Sequence, residues 1–275
     1  MNIPKYIESF RKDLKFKNYS ENTIDNYCSQ VDLFLRYYDK SVTEPSKINE
    51  KQIKDWLMLA KTTNSMKHRL SALKLFYKYT IKQPMKFRYI EYPRSEQRLP
   101  QPLSKREVEA LFSVCKNLKH KSILSLLFMC GMRVGEVINM KPTDIDRYNM
   151  VIRVREGKGK KDRIVPINED MLKLFEQYYR EYRPKEYMFN GQFTLKYSDR
   201  SVNQFLKDLA KSAGINKRVH AHLGRHSCFS QMLANGVDMS IIQRVAGHQN
   251  IKTTHLYAKI TPSIIQNTIP FSLSR

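Results

Sequence analysis

The first 88 residues contain no glycine and carry apolar side chains at three- and four-residue spacing, a pattern that leaves little besides packed helices. Ser20 stands as an N-cap ahead of Ile24, Tyr27, Val31, Phe34, Leu35 and Tyr38. Asn49 and Gln52 have capping-box spacing in front of Ile53, Trp56, Leu57 and Ala60. A third stretch puts Leu70, Leu73, Tyr77 and Ile81 on one side, with Lys67, Lys74 and Lys78 along another. Residues 1–88 therefore read as an all-helical unit with a basic outer face. From Lys82 to Pro102 the periodicity dissolves. Pro84, Pro93, Pro100 and Pro102 alternate there with Lys86, Arg88, Arg94 and Arg98, and proline bars a helix from continuing. A basic linker is expected, bounded at 89–102.

A second domain is expected over 103–275. It opens with Ser104 and Glu107 at capping-box spacing, and a very apolar helix follows, ending at Gly131. The period then changes. Val151–Val154 and Arg163–Val165 are rich in β-branched residues and flank Gly157-Lys158-Gly159, which reads as a β-hairpin. Helices resume at Asn168, and another runs through Val202, Phe205, Leu206 and Leu209 to Gly214 as its C′ residue. The fold class is mainly α: a helical N-terminal domain, then an α+β domain with one small antiparallel sheet.

The chain has 49 Lys+Arg against 26 Asp+Glu, a net charge of +23. Such a charge repels itself unless a polyanion neutralises it, and nucleic acid is the leading candidate. No single basic amphipathic stretch suits a membrane surface, and Ile123–Met132 is far short of the roughly 20 apolar residues that span one. The N-terminus has no unbroken apolar run of the secretory kind, and Cys28, Cys115, Cys130 and Cys228 lack CxxC spacing. A cytoplasmic protein is expected, with no disulfide framework and no metal site.

No P-loop pattern is present, so side chains must supply any positive charge that acts on a phosphate. Three segments can. Arg133 follows the apolar helix at a glycine turn, with Glu136 three residues on as a possible ion-pair partner. Lys158 sits at the hairpin tip, where the alternative is a solvated turn. His220, His222, His226, His248 and His255 are five of the seven histidines, and they gather around Arg225 in sequence. Histidine exchanges protons near neutral pH, and arginine grips phosphate oxygens with a rigid fork. Zinc is the competing reading, but neither a cysteine pair nor HExxH accompanies them.

Taken in order, Arg133, Lys158, His222-x-x-Arg225, His248 and Tyr257 resemble the tyrosine recombinase, or phage-type integrase, family. GMRVGEV is similar to its arginine box, GKGKKDRIVPI to its lysine hairpin, and HLGRHS to its histidine–arginine box. AGHQNIKTTHLYAKI is similar to its histidine-then-tyrosine box. Segments of residues 1–88 resemble its helical, SAM-like core-binding domain. One departure stands out. Many members have leucine where this chain has Gly224, which could loosen that helix or let backbone approach DNA closely. A glycine there is familiar in integrases of some mobile elements.

The resemblance implies a site-specific recombinase of two-domain, Xer-like type. It would cleave and rejoin DNA through a 3′-phosphotyrosyl intermediate, without ATP, metal or other cofactor. Tyr257 would be the nucleophile, and Arg133, Arg225 and His248 would hold the phosphate. Lys158 would protonate the leaving oxygen, His222 would take the tyrosine proton, and Glu136 would orient the arginines. Lys67, Arg69, Lys74 and Lys78 would contact duplex DNA, with the two domains closing as a clamp. Four protomers would assemble on two duplexes, with the tail after Tyr257 docking either on a neighbour or on its own domain. A type IB topoisomerase and a non-catalytic, architectural DNA-binding relative are the alternatives.

Overall fold

The computed structural model describes residues 1–94, 101–155 and 162–247, and the chain divides into two compact units, Met1–Arg98 and Leu99–Arg275. In the first, α1 (Ile3–Phe16), α2 (Glu21–Tyr38), α3 (Glu50–Met58) and α4 (Thr63–Tyr79) follow the apolar periodicity. The caps are those expected. Ser20 Oγ accepts the Thr23 N–H at 3.3 Å, and Asn49 and Gln52 exchange two bonds of 2.9 Å. Phe34 meets Trp56 edge-on at 5.1 Å and Phe10 meets Phe76 at 5.4 Å, within a core that also holds Leu14, Ile24, Leu35, Leu70 and Leu73.

The expected linker begins later than its prolines suggest. Pro84–Phe87 forms a 3-10 turn, and Phe87 and Ile90 are buried in the helical core. Lys86, one of the cations between those prolines, donates its Nζ protons to the carbonyls of Ser46 and Ile48, the latter at 2.7 Å. Burial lowers its pKa. A single 3-10 turn carries no period for a sequence reading to detect.

The second unit contains α5 (Lys105–Val114), α6 (Leu118–Phe128), α7 (Val134–Asn139), α8 (Glu169–Tyr182), α9 (Asp199–Ser212), α10 (Ala221–Ala234) and α11 (Met239–Ala246). Between α7 and α8 lies an antiparallel sheet ordered β1 (Ile145–Asp146), β2 (Val151–Val154) and β3 (Arg163–Pro166). The hairpin strands pair as expected, with Ile152 opposite Val165, whereas two-residue β1 is too short to show alternation. Every residue of α6 from Ser122 to Phe128 is buried, and the helix packs against both α8 and α10. Its two serines satisfy their hydroxyls on the helix's own carbonyls, Leu118 at 2.9 Å and Ser122 at 2.8 Å. No helix among the described residues is long and apolar enough to cross a membrane.

Candidate active site

The site is assembled where α6 ends. Gly131 takes φ +62°, a conformation that suits glycine, and a Cβ there would lie 2.7 Å from the Phe229 ring of α10. Glycine is thus demanded both by the turn and by the close approach. The turn delivers Arg133 to the N-cap of α7, where Glu136 accepts the Arg133 backbone N–H at 2.7 Å and its Nη1 at 2.7 Å. The anticipated ion pair forms, and Arg133 still lines an open cleft.

On α10, His222 and Arg225 are one turn apart. Arg225 is only 1% exposed. Its Nη1 donates to the Gly131 carbonyl at 2.6 Å, its Nη2 donates to the Ala246 carbonyl, and its guanidinium lies 4.8 Å from the centre of the Phe229 ring. Carbonyl dipoles and a ring face offset the cost of removing that cation from water. They also fix the plane of the guanidinium.

Gly224 has a packing role that the two expectations for it did not include. It is buried within α10, and a Cβ on it would meet three atoms of the Phe128 ring at 2.9, 3.1 and 3.2 Å. The close approach it permits is to α6. Installing the leucine of other family members, Gly224→Leu, should therefore overpack this contact and destabilise the unit by about 1–3 kcal/mol. Combined with Phe128→Ala, it should cost less than the sum of the two single changes, by about 1 kcal/mol in denaturant melts. Simple additivity would contradict the contact.

Arg133, His222 and Arg225 converge on one cleft of about 680 Å³, whose walls also include Lys141, Arg153 and Arg155. His222 keeps an edge in solvent. Desolvation of the rest of the ring, then Arg225, His220 and Arg133, lower its pKa, which favours neutral imidazole at neutral pH. His226 meets it edge-on at 4.5 Å and is lowered to about 4 by burial, then by His222, Arg225 and His220.

Sequence reading missed Arg163. Its guanidinium grips Glu136 at 2.8 Å (Nη1–Oε1) and 2.7 Å (Nη2–Oε2), and its Nε donates to the Val245 carbonyl at 2.8 Å. Side-chain exposure is 7% for Arg163 and 11% for Glu136. A signal existed: Arg163 shares a strand face with buried Val165, and an arginine on the inward face of a strand requires a partner. Burial opposes the charge on Glu136, but Arg163 and then Arg133 outweigh it and hold the carboxyl at about 2.

These shifts imply an acid-sensitive fold. His226 falls from 6.5 to about 4, so the unfolded chain takes up its proton first and stability is lost as pH drops from 6.5 toward 4. Glu136 falls from 4.5 to about 2, so its contribution is present above pH 4.5 and disappears toward pH 2. That second contribution is roughly 3 kcal/mol. Melting midpoints measured against pH should decline through both windows, and His226→Gln should make the upper decline, which His222 and His120 share, shallower while leaving the lower one unchanged.

The other expected residues fall into three groups. Lys67, Lys74 and Lys78 share one side of α4, with Lys74 Nζ 4.5 Å from the centre of the Tyr92 ring. Arg69 stands apart from them: it lies 4.5 Å from the centre of the Trp56 ring and donates to the Trp56 carbonyl at 3.3 Å. Lys158, His248 and Tyr257 lie outside the described residues. Among the described residues, no three or more His, Cys, Asp or Glu side chains converge as a metal site.

Two arginines and a histidine of lowered pKa around one cleft are chemistry able to pair with a phosphate diester. The sequence matches the phage integrase family over residues 101–263 and the N-terminal SAM-like domain of phage integrases over residues 6–86. It is 32% identical over 270 residues to the tyrosine recombinase XerA of Pyrococcus horikoshii, covering 96% of this chain and 92% of that one. Tyrosine recombinase XerC of Staphylococcus epidermidis is 30% identical over 281 residues, with 94% of each chain covered. Among solved structures, XerA recombinase matches with a TM-score of 0.58 at 29% identity, covering 97% of both chains. XerH recombinase bound to a palindromic difH substrate matches in fold with a TM-score of 0.73 at 20% identity, covering 91% of this chain and 80% of that one. This chain belongs to the phage integrase family, that of the tyrosine recombinases. Site-specific DNA recombination is its activity class, and neither the topoisomerase nor the architectural reading is favoured.

Proposed function

We propose that Arg133, Lys158, His222, Arg225, His248 and Tyr257 carry out strand cleavage and rejoining at one phosphate of a duplex recombination site. The observation that supports this most is the convergence of Arg133, His222 and Arg225 on one cleft. The Tyr257 phenolic oxygen attacks the phosphorus, and its proton passes to His222. A bond forms between that oxygen and the 3′-phosphate, while the bond to the 5′-oxygen breaks. Lys158 gives the departing 5′-oxygen its proton; in sequence it follows Arg155, a residue of the cleft wall, by three positions. Arg133, Arg225 and His248 hold the non-bridging oxygens as negative charge builds, the task a metal ion performs at other phosphoryl-transfer sites. A 5′-hydroxyl from the partner strand then reverses the attack, so the energy of the first bond is kept and no nucleotide is consumed.

The DNA-facing surface of the first unit is the stripe of Lys67, Lys74 and Lys78, with Arg69 bracing α3 beside it. The working assembly is four copies on two duplexes, acting in the cytoplasm. A plasmid assay tests the reading. With two copies of the target site, captured beforehand from randomised nicked duplexes, the protein should exchange the flanking segments. Relaxation of a one-site supercoiled plasmid without exchange would instead indicate a topoisomerase, and binding without either would indicate an architectural factor.

A further inference from the structure

We infer that Arg163 is a positioning residue that locks Arg133 and the C-terminal turn of α11 to the base of the lysine-bearing hairpin. The inference rests on the proposed roles of Arg133, Lys158 and His248. Arg163 is the second residue after the undescribed hairpin segment and the first of β3. Its fork occupies both oxygens of Glu136, and the same two oxygens accept the side chain and backbone N–H of Arg133. Its remaining Nε reaches the Val245 carbonyl, at the last turn of α11.

That turn is held from two sides. The next carbonyl, Ala246, accepts from Arg225. Gly247 follows at φ +61°, and a Cβ on it would come within 3.0 Å of Arg163 Cδ, so the arginine stem packs directly on the residue before His248. Three chain segments that are far apart in sequence thus meet at one guanidinium: the arginine box, the hairpin base and the lead into the second histidine. A displacement of about 1 Å in such groups costs on the order of 10²-fold in rate. Lysine cannot take this place, because one ammonium cannot span a bidentate carboxylate and a carbonyl on opposite sides.

The test uses the full chain and a duplex nicked beside the scissile phosphate, with rates of covalent adduct formation, duplex affinity and melting midpoints measured together. Arg163→Lys should keep affinity within about threefold yet form adduct about 10- to 100-fold more slowly. Arg163→Gln should match Glu136→Gln, and the double variant should be no slower than the slower single, because both remove the same link. Mere loss of stability would lower apparent duplex affinity and adduct rate together, in step with the melting midpoint, rather than the rate alone. Wild-type rates in Arg163→Lys, multiplicative single effects or a parallel loss of affinity and rate would overturn the inference; if Arg163→Gln does not fold, Arg163→Lys decides. A wild-type chain that forms no adduct would sink the functional reading itself. Amide exchange would then judge the inference: Arg163→Lys should lose protection at both Val134–Asn139 and Val245–Gly247, and unchanged protection would contradict it.

Discussion

Arg225→Lys is expected to slow adduct formation by about 10²–10³-fold, the usual cost of removing a donor aimed at a developing charge. The reason lies in how Arg225 is held. Two carbonyls on different segments, Gly131 and Ala246, orient its guanidinium, and the Phe229 ring supports its face. An ammonium at that depth reaches at most one of those carbonyls and strands the other, so the charge is no longer held in one plane beside the cleft. Stability should fall as well, by about 1–3 kcal/mol for the carbonyl left unsatisfied. Rates must therefore be taken below the variant's melting range, with duplex affinity measured alongside. Cleavage near the wild-type rate by a folded Arg225→Lys protein would remove Arg225 from its proposed role.

The second large effect is Tyr257→Phe. Only one oxygen is lost, so duplex affinity should stay within about twofold, while covalent adduct falls to nothing. The 16 tyrosines of this chain make the contrast informative. Tyr77 and Tyr178 are fully buried, and burial pushes both hydroxyls well above the usual range. Such phenols are poor nucleophiles. An adduct that survives detergent in Tyr257→Phe would move the nucleophile to another residue.

Features written in short stretches of chain were legible in advance. The caps at Ser20, Asn49 and Ser104, the glycine turn before Arg133 and the β2–β3 pairing all depend on residues no more than fifteen positions apart, and all appear in the structure. What escaped depends on partners distant in sequence. Lys86 finds carbonyls about forty residues earlier, Arg163 meets Glu136 and Val245 across two elements, and Gly224 owes its bare α-carbon to Phe128. Arg69 looked like one more cation on a basic helix until Trp56 of α3 came under it. The site shows the same division. Its ordered motifs exposed Arg133, His222 and Arg225, but the residue tying Arg133 to the turn that holds Arg225 sits inside the lysine-hairpin motif, where only Lys158 was given a role.

The central claim is that this cleft makes and breaks one phosphodiester through a tyrosine. Incubating the wild-type protein with a nicked duplex carrying its site, digesting the trapped complex and sequencing the DNA-bound peptide by mass spectrometry tests that claim most directly. The account predicts a single modified residue, Tyr257, joined to a 3′-phosphate, with a free 5′-hydroxyl on the released strand. No adduct, an adduct on a different side chain or a linkage to a 5′-phosphate would contradict it.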